Sequence, residues 1–136
     1  MKKLVLILVC FTIMLVTSAC SDKAGILFNN NPITEDNVMD YSSVFTTGQR
    51  IYYLILFPKE VRSRYIYIQV VKKDDDYGKL GYDLYWSKTI RLKDEDVNYF
   101  TDYVVVNQKG FYIMQVYSKD NPTKRLAAAE FTVKKP

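Results

Sequence analysis

Histidine is absent from all 136 residues. That removes the usual general base near neutral pH and the commonest metal ligand. Neither a Ser-His-Asp triad nor a Cys-His pair can be assembled. Cysteine is nearly absent as well, with Cys10 and Cys20 the only two. Glycine is scarce at five residues, and Gly78 and Gly81 do not by themselves make a phosphate-cradling loop. A zinc site would need an all-carboxylate set, which zinc seldom uses. These absences point away from an enzyme, and neither a cofactor nor a metal is expected.

Charge of one sign is also lacking. The formal charge is +4, and Lys2 and Lys3 account for two of those units, so the chain after them stands at +2. That balance gives no electrostatic footprint for nucleic acid.

What is present begins with "MKKLVLILVCFTIMLVTSAC". Lys2 and Lys3 form a charged start, and Leu4 to Val16 is an apolar or near-apolar run of 13 residues. Thr17, Ser18 and Ala19 are small. This is the layout of a secretory signal peptide, and the run is short for a membrane span, which takes about 18 to 20 residues.

The junction "TSAC" resembles the lipobox of bacterial lipoproteins, with small residues at Ser18 and Ala19 just before Cys20. The family's usual Leu three places before the cysteine is replaced here by Thr17. The resemblance implies cleavage before Cys20 and acylation of its sulfur, which would fasten the chain to a membrane. It also implies a cell-envelope address. Ser21, standing where Asp would favour inner-membrane retention, tilts that address toward the outer membrane. With Cys10 lost in the leader and Cys20 capped, no intrachain disulfide is available, so the fold has to rest on its apolar core.

Residues 1–19 are therefore expected to be a lipoprotein signal peptide, 20–37 a polar tether, and 38–136 one β-sandwich domain. In the tether, Ile26, Leu27 and Phe28 are alternatively a short first strand. From Val38 the pattern is β. "QRIYYLILF" (49–57) is apolar on both faces, as a central strand would be. In "RYIYIQVVK" (64–72), Ile66, Ile68 and Val70 share one face, and Tyr65, Tyr67 and Gln69 the other. Tyr82, Leu84 and Trp86 are expected on one face of the next strand, and Ile90 and Leu92 in a short strand after it. Strands at 98–106 and 111–118 follow. In the last strand Ala127, Ala129, Phe131 and Val133 alternate with Glu130, Thr132 and Lys134.

Seven or eight short strands with turns between them predict an all-β, antiparallel sandwich or small barrel. "KGFYIMQV" (109–116) resembles the start of the sixth strand of immunoglobulin-like domains, with Gly110, Tyr112 and Met114 in the places of the tyrosine corner and its following core residue. That resemblance favours an immunoglobulin-like sandwich.

Carboxylates cluster at Asp74-Asp75-Asp76 and Asp94-Glu95-Asp96. Calcium takes oxygen ligands of this kind. Acidic residues between strands more often keep sheet edges soluble, and the spacing fits no calcium loop. Tyrosine is the most unusual abundance, at twelve residues. Tyr52, Tyr65, Tyr67, Tyr85 and Tyr103 are candidates for a binding face, since exposed tyrosine offers rigid, amphipathic contact area for protein or glycan partners. The expectation is a lipid-anchored binding or adhesion module. The alternatives are an assembly component of an envelope complex, or an inhibitor of an external hydrolase acting through the loops at 58–62 or 74–81.

Overall fold

In the computed structural model, residues 24–57, 64–73, 81–93 and 98–136 are described. The leader with Cys20, the 58–62 loop, the acidic run 94–96 and nearly all of the 74–81 loop lie outside them. Eight strands follow in order: β1 (Gly25–Asn29), β2 (Val44–Thr46), β3 (Arg50–Leu56), β4 (Tyr65–Lys73), β5 (Tyr82–Arg91), β6 (Tyr99–Val105), β7 (Gly110–Ser118) and β8 (Asn121–Lys134). They form two sheets, β1-β3-β6 and β2-β8-β7-β4-β5. The pairings are antiparallel except β2 with β8, which run parallel. The chain is an immunoglobulin-like β-sandwich, as its strand count and the Tyr112 motif led one to expect.

Period-two alternation explains which side chains fill the interior. Ile51, Tyr53 and Ile55 of β3, Ile66, Ile68 and Val70 of β4, Tyr112, Met114 and Val116 of β7, and Phe131 and Val133 of β8 are all buried. The expected alternation in β8 is present: Ala127, Ala129, Phe131 and Val133 turn inward against the core, while Glu130 is exposed.

A tether over residues 20–37 is contradicted from Gly25 on. Gly25–Asn29 pairs with β3 in a five-residue register, and Ile26 and Phe28 are buried. The physical reason is aromatic packing between the sheets. Phe28 meets Phe131 at 5.0 Å between ring centroids and Phe45 at 6.4 Å. Phe131 in turn stacks on Tyr112 at 5.4 Å, with 12° between the planes. The asparagines after β1 form an ordered turn. Asn29 Nδ2 donates to the Asn37 carbonyl at 3.2 Å, and Asn31 N donates to Asn29 Oδ1 at 3.0 Å.

The expected common face of Tyr82, Leu84 and Trp86 is split by a β-bulge. Trp86 pairs with Val70 and Leu84 with Val71, so Tyr85 is the extra residue. Shifting by one residue reverses the sides. Trp86 packs on the core while Leu84 is 58% exposed. Ile90 belongs to the same strand as Trp86 rather than to a separate one.

The tyrosine corner is formed. The Tyr112 hydroxyl donates to the Gln108 carbonyl at 2.7 Å. On the side of the sandwich where β5 and β6 are the free edges, Lys88 Nζ reaches Asp102 Oδ2 at 2.9 Å and bridges the two sheets.

Candidate functional site

The five candidate tyrosines do not share one surface. Strand alternation places residues two apart on the same side of one strand, but the sheet to which each strand belongs then decides the surface. Tyr65 and Tyr67 lie on the outer face of the five-stranded sheet, because Ile66 and Ile68 between and beside them are buried. Tyr52 and Tyr103 lie on the outer face of the three-stranded sheet, directly opposite each other in register. Tyr85 has a structural post. Its ring meets the edge of Tyr112 at 5.4 Å, and its hydroxyl accepts the Asn107 backbone N–H at 3.0 Å.

The outer face of the five-stranded sheet is built by β4 and β7. Tyr67 stands opposite Tyr117, and Gln69 opposite Gln115. Gln69 Nε2 donates to Gln115 Oε1 at 2.5 Å, which orients both amides along the sheet. Tyr65 is 42% exposed, with the Lys119 ammonium 5.5 Å from its ring centroid. On β5, Thr89 and Ser87 extend this face opposite Tyr67 and Gln69. The result is an open surface where aromatic rings border a strip of amides and hydroxyls. Tyr117 and Gln115 were not singled out in the sequence. They are found only through the β4–β7 register, which pairs residues far apart in the chain.

The outer face of the three-stranded sheet has a different chemistry. β3 turns Arg50, Tyr52, Leu54 and Leu56 outward, and β6 turns Tyr99, Thr101, Tyr103 and Val105 outward. The Tyr52 and Tyr103 rings are 5.8 Å apart, and the Arg50 guanidinium sits 4.8 Å from the Tyr103 ring centroid. Cation–π contact of this kind attracts the cation to the ring face. The pKa of Arg50 is raised, chiefly by the side-chain hydrogen bond with Tyr52.

Among the described residues no group of three or more Asp, Glu, Cys or His residues could hold a metal ion. No helix among them is long and apolar enough to cross a membrane.

No protein-family model matches the sequence, and no curated protein matches it either. Solved structures show a likeness to the chain. The PmoD soluble domain from Methylocystis sp. ATCC 49242 (Rockwell) superposes with a TM-score of 0.51 at 12% identity, over 84% of this chain and 93% of that one. The bacterial hydrophobin BslA gives 0.49 at 10% identity, over 84% and 100%. A Bacillus anthracis protein provisionally classed as a lipoprotein gives 0.46 at 12% identity, over 85% and 76%. At such identities the likeness concerns the fold alone.

Proposed function

We propose that this chain is a lipid-anchored cell-envelope protein that works as a non-catalytic binding module. Acylation at Cys20 holds it on the membrane, and the outer face of the five-stranded sheet meets a protein or glycan partner. The leader supports the anchor: a charged start, an apolar run of 13 residues, and Ser18-Ala19 before the cysteine. Acyl chains on one thioether, with a further acyl group on the new amino terminus, hold stably where a single chain holds marginally. Ser21 after the cysteine favours the outer membrane.

The observation that carries the binding role is the pairing of half-buried Tyr67 with Tyr117, with exposed Tyr65 two residues along the same face and the Gln69–Gln115 amide pair beside them. Flat, rigid rings flanking fixed donors and acceptors suit a partner that lays a broad surface on the sheet. A small substrate would need a deep cleft instead.

The anchor is tested by Cys20→Ala, which should abolish fatty-acid labelling and release the protein from membranes. The binding face is tested by cross-linking on intact cells, comparing wild type with the double variant Tyr65→Ala plus Tyr67→Ala. The partners recovered with wild type should be lost from the variant while its circular dichroism is unchanged. An unaltered partner set would refute the proposed face.

A further inference from the structure

The outer face of the three-stranded sheet has no place in that binding role, yet it exposes apolar side chains with almost no charge among them. We propose that this face lies on the bilayer surface, so that the domain reclines on the membrane with its Tyr65–Tyr67 face turned outward. This rests on the Cys20 anchor proposed above.

The first support is composition. Leu56, Tyr99, Tyr103 and Val105 are 42%, 50%, 42% and 37% exposed and all point away from the core. No outward position of β1, β3 or β6 carries a carboxylate, because the alternation turns Asp102 inward beside Tyr53 and toward Lys88. The one outward charge is Arg50, laid over Tyr103. Tyrosine rings combine an apolar body with a hydroxyl and settle at the level of lipid headgroups. An arginine can rest its stem on apolar surface while its head reaches phosphate. The opposite outer face also exposes apolar side chains, Tyr82, Leu84 and Phe111 among them. It intersperses them with the exposed charges of Lys73, Arg91 and Glu130, of both signs, which makes it the less suited of the two to lie on lipid.

The second support is connectivity. β1 is an edge strand of this same sheet, and Gly25 stands opposite Leu56, which stands opposite Tyr99. Only Ser21, Asp22, Lys23 and Ala24 separate Cys20 from Gly25. Five residue steps reach at most about 18 Å. Strands spaced by about 4.8 Å bring Leu56 and Tyr99 within about 10 Å of Gly25. Cys20 is therefore tethered to the edge of this sheet by no more than about 18 Å of chain. So short a link sets a high effective concentration of lipid beside it, above that of any untethered partner.

The test uses the full chain, processed in a bacterial host and reconstituted into phosphatidylethanolamine–phosphatidylglycerol vesicles. A fluorophore is placed on Leu56→Cys, on Tyr103→Cys, or on Ser87→Cys from the opposite face. Tyr99→Cys replaces either of the first two if its far-ultraviolet spectrum departs from wild type. Nitroxide-bearing lipids should quench the labels at positions 56 and 103 several-fold more than the label at 87. Equal quenching on vesicle-bound protein would overturn the docking while leaving the anchor intact. Labels at 56 and 103 that are shielded from an aqueous quencher but unreached by the lipid nitroxide would overturn it in favour of a second copy of the chain. An unmodified Cys20 by mass spectrometry, with protein absent from the vesicles, would instead sink the anchor and the docking with it.

Discussion

Tyr112 and Gln108, four residues apart, are joined by a 2.7 Å hydrogen bond from the phenol to the backbone carbonyl. The bond fixes the entry into β7, the strand that pairs with both β4 and β8. Tyr112→Phe keeps the ring that stacks on Phe131 and removes only the donor. Stability should fall by about 0.5–1.5 kcal/mol, the usual net worth of such a bond. Urea unfolding should show a lower midpoint with an unchanged slope.

Phe28 ties the first strand into the centre of the sandwich through Phe131 and Phe45. It is 4% exposed. Phe28→Ala should cost about 3–5 kcal/mol, as aromatic truncations in a packed core do. A cost under about 1 kcal/mol, within the range of surface substitutions, would mean that β1 adds little to the core. Thermal unfolding followed by near-ultraviolet circular dichroism decides between them.

That residue also marks where the sequence stopped being legible. Strands β3, β4, β7 and β8 announce themselves by alternation or by dense β-branched and aromatic runs, which are local signals. Phe28 ends a three-residue apolar run, which offers a short strand only as an alternative, inside a stretch rich in asparagine and charged residues. The partners that bury it, Phe45 and Phe131, come from β2 and β8, so no local pattern could show them. The bulge at Tyr85 was hidden for a related reason, since alternation within β5 gives no sign that its register with β4 slips by one. The tyrosine face suffered both limits. Alternation put Tyr65 and Tyr67 on one side correctly, but only the sheet order shows that Tyr52 and Tyr103 belong to the opposite surface.

Gly48 has φ of 80°, in a turn where Gln49 N donates to the Thr46 carbonyl at 3.3 Å. A methyl group there would have room, its nearest neighbour being Asn107 Oδ1 at 3.9 Å. The cost of Gly48→Ala is therefore conformational, about 1–2 kcal/mol for a left-handed backbone. Gly48→Asn should cost less, because asparagine visits that region more readily. Equal losses for the two variants, measured by chemical denaturation, would point to packing instead.

Tyr53 presents the reverse case, a polar atom the core could do without. Its ring is fully buried between the sheets, and its hydroxyl has no hydrogen-bond partner among the described residues. Burial, and secondarily the charge of Asp102, raises its pKa well above the ordinary value of 10.0. The folded protein thus holds the phenol neutral where the unfolded chain would ionise it. Below pH 10 both states are protonated and the group adds no pH dependence. Above pH 10 the unfolded chain binds fewer protons than the folded one, so stability must fall as pH rises. Tyr53→Phe should remove that part of the alkaline decline. Near pH 7 it should leave stability unchanged or raise it by up to about 1 kcal/mol, since an unpaired buried hydroxyl is lost. Urea midpoints of the two proteins at pH 7 and above pH 10 measure both effects. If the variant loses stability at pH 7, the hydroxyl has a partner after all. Parallel alkaline slopes would assign the decline to other groups.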